Sequence, residues 1–167
     1  MGLKRPLVIC ASQRYKASID SFVNYLQKRG VLVFQPNFRR HRKKFIRQPE
    51  RLRMRSSAYK AKVPGMVLSH FSKLRKTGNL GGLCLVFNPT AMEGQSKAHG
   101  YIGSNTQAEI SHAHALDITV LLLKPHEEEW IMSIVEKEQV FTLERPKGDP
   151  MDFDAVYEWL RPWIGDM

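Results

Sequence analysis

Three things are scarce in this 167-residue chain: cysteine, long apolar runs and, across residues 38–62, acid. Each scarcity excludes something. The two cysteines, Cys10 and Cys84, have no paired spacing, which argues against a two-cysteine metal site, and a disulfide between them would be unusual in a cytosolic protein. Both fall in apolar, strand-like runs, where cysteine behaves as a small buried hydrophobe. If those two strands are neighbours, the thiols lie close together. The longest apolar run, near residues 118–123, is far short of the roughly 20 residues of a spanning helix, so no membrane role is expected. The opening Met1-Gly2-Leu3-Lys4-Arg5-Pro6 lacks the apolar core of a signal peptide, and Pro6 breaks a myristoylation pattern. A cytoplasmic location is expected.

What is present is an ordinary globular composition, 43% hydrophobic, at a length suited to one domain over 1–167. The net charge of +10 is not spread evenly. Residues 38–62 hold eleven of the 26 basic residues, from Arg39 and Arg40 to Lys62, and only Glu50 among the 16 acids. The remainder of the chain is balanced. The basicity belongs to one insertion, not to the fold.

Outside that insertion, short apolar strands alternate with amphipathic helices. Residues 6–10 read as a first strand. Ile19, Phe22, Val23 and Leu26 share one face of a helix that Gly30 ends. Residues 31–35 read as a second strand and 65–76 as a helix carrying Met66, Leu68, Phe71 and Leu74. A third strand is expected over 82–87, a long loop over 88–103, and a helix capped by Ser104 or Asn105. Residues 118–123 suit a strand buried on both faces. A helix over 127–137, a short strand over 140–143 and a closing helix over 153–163 complete the pattern. Such alternation predicts an α/β domain with a parallel sheet of about five strands covered on both sides.

In open sheets of this kind ligands bind beyond the carboxyl ends of the strands, at the switch point of the strand order. Ser12 and Arg14 follow the first strand; Asn88 and Gly100-Tyr101-Ile102-Gly103 follow the third. The glycine loop runs into a helix start, whose free N–H groups and positive dipole end suit a phosphate or sugar hydroxyls. Glu109 lies about one turn inside that helix, with its side chain expected to point back towards the loop.

Val8-Ile9-Cys10-Ala11-Ser12-Gln13-Arg14, Asn88, and Gly100-Tyr101-Ile102-Gly103 with Thr106 and Glu109-Ile110-Ser111-His112-Ala113 resemble the nucleoside 2-deoxyribosyltransferase-like superfamily, which includes nucleoside 5′-monophosphate N-glycosidases. The similarity covers the first strand and about residues 68–125. It implies a flavodoxin-like, Rossmann-type three-layer sandwich, assembled as a homodimer or higher oligomer. It also implies cleavage or transfer at an N-glycosidic bond, with Glu109 as the nucleophile and no cofactor. Ser12 and Arg14 would hold a 5′-phosphate, and Asn88, Tyr101, Gly103, Ser104 and Asn105 would contact the nucleoside or nucleotide. The chain departs from the pattern at three places. Gly82 stands where an aspartate commonly opens the third strand, Gly103 where the transferases carry an acid, and Val8 where the hydrolases carry a supporting tyrosine.

Two other readings compete. Glu109 and His112 share a helical face, but a carboxylate metal site of that kind needs a second such pair, so no metal is expected. Eleven positive charges with Phe38, Phe45 and Tyr59 interleaved would suit nucleic-acid phosphates and bases. They would equally suit a lid over the pocket, an oligomer contact or a solvated face. The alternative function is therefore a non-catalytic nucleotide-binding or nucleic-acid-associated protein.

Overall fold

The computed structural model describes residues 3–37, 61, 63–89, 100–141 and 150–165. The basic insertion over 38–62, save Ala61, lies outside them, as does the middle of the long loop, residues 90–99.

Four strands, β1 (Leu7–Cys10), β2 (Val33–Phe34), β3 (Leu83–Val86) and β4 (Val120–Leu122), form one sheet in the order β2-β1-β3-β4. Every pairing is parallel, and β1 and β3 run in register from Leu7 opposite Leu83 to Cys10 opposite Val86. All residues of β1, β3 and β4 are buried, which is why they read as unbroken apolar runs. Among the described residues the helices are α1 (Lys16–Gln27), α2 (Val63–Asn79), α3 (Ser104–Ala115), α4 (Glu129–Ser133) and α5 (Phe153–Ile164).

Crossover handedness assigns them to faces. Parallel strands are joined right-handedly, so reversing the direction of travel across the sheet moves the connecting helix to the other side. The step from β1 to β2 runs one way with α1. The steps from β2 to β3 and from β3 to β4 run the other way with α2 and α3. Two separate cores result. Leu7, Ile9, Leu83, Leu85 and Leu121 pack with Phe22 of α1 and Trp159 of α5. Val8, Cys10, Cys84, Val86 and Val120 pack with Leu74 of α2 and Ile110 of α3. The alternation within each strand is the period-2 pleat of β structure.

The α/β expectation holds, but the sheet has four described strands, not about five. In the fifth position Val140 makes a single parallel bridge to Leu122, held by Gln139 Nε2 donating to the Val120 carbonyl at 2.8 Å. Residues 142–143 of the expected strand over 140–143 lie outside the described residues. The second strand is shorter than expected, and the expected helix over 127–137 is the single turn and a half of α4 followed by a 3₁₀ turn, Lys137–Gln139. Helix α2 is longer at both ends than its periodicity indicates. It passes into β3 through Gly81, whose φ of 65° favours glycine.

Gly82 has a packing reason. A Cβ there would meet Thr77 Cγ2 at 2.5 Å and the Pro6 carbonyl oxygen at 2.6 Å. No aspartate fits at the start of β3 without moving backbone.

Candidate functional site

The switch point of the strand order lies between β1 and β3, and the elements that follow these strands meet there. After β1, Ser12 caps a 3₁₀ turn, Gln13–Tyr15, its Oγ accepting from the Arg14 N–H at 3.3 Å. The Arg14 guanidinium lies 4.1 Å from the centre of the Tyr101 ring, within cation–π range. Tyr15 Oη accepts from the Tyr101 N–H at 3.0 Å. The loop after β3 is thus tied to the turn after β1.

Asn88 is fully buried and committed to the backbone. Its Oδ1 accepts from the N–H groups of Leu123 and Lys124 at 3.1 and 3.2 Å. Its Nδ2 donates to the carbonyls of Lys124 and Gly100 at 3.1 and 3.4 Å. The amide fixes the ends of β3 and β4 and the start of the glycine loop. Any ligand contact through Asn88 would replace one of these bonds.

Gly103, not Ser104 or Asn105, occupies the N-cap position of α3, and no side-chain hydrogen bond caps the helix. Ser104 and Asn105 lie exposed in its first turn. A Cβ on Gly103 would stand 3.1 Å from Tyr101 Oη, so an acid there would crowd the Tyr101 side chain, which would have to give by a few tenths of an ångström.

Glu109 lies at the base of this arrangement, in a second group of residues. Its carboxyl turns towards the end of β1, and the residue is only 8% exposed. Oε2 is 3.7 Å from Nε2 of His70, and His70 Nε2 is 3.5 Å from Sγ of Cys10. The Cys84 thiol is 3.5 Å from the Cys10 thiol. Both thiols are free. The register sets Cys84 opposite Val8, two residues from Cys10. Strand spacing and rise then separate the two Cα atoms by roughly 8 Å, beyond the ~6.8 Å reach of a disulfide.

Burial governs the charges. It pushes the Glu109 carboxyl up to about 8, against the opposing effects of the Cys10 thiol and the Lys73 charge. Burial also lowers His70 to about 4, with Lys73 adding to it and the Ile9 backbone opposing. It raises the Cys10 thiol well above its usual value, with Cys84 adding to the effect. At neutral pH the group is therefore a carboxylic acid, a neutral imidazole and a thiol, and the 3.7 Å Glu109–His70 contact is not an ion pair. Among the described residues Glu109 Oε2, His70 Nδ1 and His112 Nε2 are buried without a hydrogen-bond partner.

His70 carries no motif. The signal that could have found it is its spacing, four residues from Met66 and from Leu74, which puts a titratable ring on the apolar stripe of α2. The sequence pairs Glu109 with His112 on one helix. Glu109 meets His70 across helices instead, while the His112 ring stacks on Phe71 with centroids 4.3 Å apart.

An open polar groove of about 540 Å³ lies beside the end of β2, lined by Lys16, Asp20, Gln35, Asn37 and Lys73 among others. Lys73 donates to the Gln35 carbonyl at 2.6 Å and sits one helical turn from His70. No described helix is long and apolar enough to cross a membrane. No family model, curated protein or solved structure matches the chain.

Proposed function

We propose that the protein binds a nucleoside or nucleoside 5′-monophosphate where β1 and β3 end, and that it cleaves or transfers at the N-glycosidic bond with Glu109 as nucleophile. The observation that carries this reading is a nearly sealed carboxyl at the switch point of a parallel sheet, with a strongly raised pKa. The strand order is compatible with a flavodoxin-like sandwich, which is part of the same proposal. A dimer or higher oligomer and a cytoplasmic location belong to it as well.

Oxocarbenium character builds on the sugar as the C–N bond breaks, and a close carboxylate captures it as a glycosyl ester. The bond's electron pair leaves on the base nitrogen, which takes a proton from water. Water or a second base then opens the ester, giving hydrolysis or transfer. Because burial holds the proton on Glu109, the attacking form grows as pH rises towards about 8, and base release should rise with it. Arg14 beside Tyr101 would bind the 5′-phosphate.

A panel of nucleosides and 5′-monophosphates, followed by chromatography of released base, tests the activity. Glu109→Ala and Glu109→Gln should abolish release while ligand binding and folding persist. An unchanged rate in both removes Glu109 from the chemistry.

The second reading, a non-catalytic nucleotide-binding or nucleic-acid-associated protein, is favoured by Gly82, where the packing leaves no room for the usual carboxylate. Binding of the same ligands with no base released at any pH would select it.

A further inference from the structure

We infer that Cys10, His70 and Glu109 form a binding site for one divalent transition-metal ion of the zinc class. The three come from the end of β1, the middle of α2 and the second turn of α3, and their ligand atoms all lie within 4.8 Å of one another. They are 0%, 4% and 8% exposed. Metal–sulfur and metal–nitrogen bonds of about 2.3 and 2.0–2.1 Å at a tetrahedral angle span about 3.6 Å between sulfur and nitrogen. The thiol–imidazole distance is 3.5 Å and the imidazole–carboxyl distance 3.7 Å.

The polar bookkeeping points the same way. Buried polar groups are normally satisfied, and His70 Nε2 faces a thiol and a carboxyl oxygen that has no hydrogen-bond partner among the described residues. One cation between them would satisfy sulfur, nitrogen and oxygen together. The donor set selects the ion class. A thiolate and an imidazole suit zinc or cobalt, whereas magnesium and calcium take oxygen ligands. Three protein ligands leave a fourth tetrahedral position for water or another small ligand. Cys84 touches Cys10 but lies outside the trio. On binding, the thiol proton and the carboxyl proton pass to the buffer.

The site does not depend on the glycosidic reading. Only one consequence rests on it: an ion held by Glu109 occupies the proposed nucleophile, so bound metal should suppress base release.

The test titrates the chelator-treated, reduced full-length protein with Co²⁺ alone. One equivalent should bring up thiolate-to-cobalt charge-transfer absorption, which Zn²⁺ then abolishes by displacement. The Cys10→Ser protein should lose the charge-transfer band, and Cys84→Ser should keep it. His70→Gln and Glu109→Gln should weaken Co²⁺ about tenfold or more, at least the loss that follows removal of an outer-shell partner. X-ray absorption of the zinc-loaded wild-type protein, which needs no variant to fold, should show one sulfur at about 2.3 Å with nitrogen and oxygen at about 2.0–2.2 Å. A sulfur-free shell, no charge-transfer band at one equivalent, or a band unchanged in Cys10→Ser overturns the site. Metal binding without base release under any condition would leave the site standing and reject the glycosidic reading alone.

Discussion

The two faces of the sheet are built from the same strands and yet differ in kind. On the α1 and α5 side the core is aliphatic and aromatic. Phe22 lies 5.1 Å from Phe153 and 5.7 Å from Phe87 between ring centroids, and Phe141 lies 5.5 Å from Trp159. Polar side chains described there have partners, such as Trp159 Nε1 donating to the Glu138 carbonyl at 3.0 Å. On the α2 and α3 side, β1 and β3 present Cys10 and Cys84, and the helices add His70 and Glu109. The buried polar atoms without partners among the described residues are all on this side. Burying such groups costs free energy, and packing alone does not require it. One face makes the fold stable. The other carries a cost that stability does not explain, and strained or costly features concentrate where function is.

If that division is right, truncation on the first face should be expensive at every pH. Phe22→Ala removes the ring that joins α1 to Phe87 and Phe153, and core Phe→Ala changes cost about 3–5 kcal/mol. Urea unfolding should show that loss, equal at acid and alkaline pH. A loss under about 1 kcal/mol would mean that the aromatic face is not the main source of stability.

On the second face the effect should depend on pH, and its sign follows from the shifts. Glu109 is raised from 4.5 to about 8, so between those values the folded chain holds a proton that the unfolded chain has released. Stability then falls as pH rises. His70 is lowered from 6.5 to about 4, so there the unfolded chain holds the extra proton and stability rises with pH up to about 6.5. The two roughly offset each other from about 4.5 to 6.5, and Glu109 acts alone from 6.5 to 8. With chelator present, the wild-type protein should lose on the order of 2 kcal/mol over that last interval. Glu109→Gln should lose none, and its advantage over wild type should grow by on the order of 4 kcal/mol from pH 5 to pH 9. Parallel pH profiles for the two proteins would show that Glu109 is not held protonated.

These faces were unequally legible in the sequence. The strands were visible because a parallel sheet covered on both sides demands unbroken apolar runs, as in Leu83-Cys84-Leu85-Val86. Glu109 stood out because a glycine loop precedes its helix. His70 did not, since pairing it with Cys10 and Glu109 needs the packing of α2 on α3, which no local pattern encodes. Asn88 was noticed for its place in the loop, but its four backbone bonds depend on where β4 ends. The N-cap falls on Gly103, not on Ser104 or Asn105, because the chain enters α3 extended there, with no side-chain cap to mark it.

A smaller effect separates the phosphate from the rest of the ligand. Loss of a charge-assisted contact costs about 1.5–3 kcal/mol, or roughly 10–100-fold in affinity. Arg14→Ala should weaken a 5′-monophosphate by that much more than the matching nucleoside, measured by calorimetry. Loss of the stacking on Tyr101 would fall on both ligands alike. Equal weakening would leave Arg14 as a support for Tyr101 and no more.

The smallest expected effect concerns the join between the faces. Tyr15 is buried in the aromatic core, yet its hydroxyl accepts from the Tyr101 N–H in the loop that leads to Glu109. Burial pushes that phenol up to about 12, so it stays a neutral acceptor throughout the working range of pH. Tyr15→Phe keeps the ring and removes only the acceptor, and a single hydrogen bond of this kind contributes about 0.5–1.5 kcal/mol. Tyr101 is half-buried, so water can replace part of what is lost. Global stability should therefore fall by about 1 kcal/mol or less, while amide exchange at Tyr101 quickens more than exchange in β1 and β3. The pH profile that Glu109 imposes should be unchanged, because the trio around Cys10 does not include Tyr15. If Tyr101 exchange moves only in step with the core strands, the loop is held by other contacts and the two faces are not joined through Tyr15.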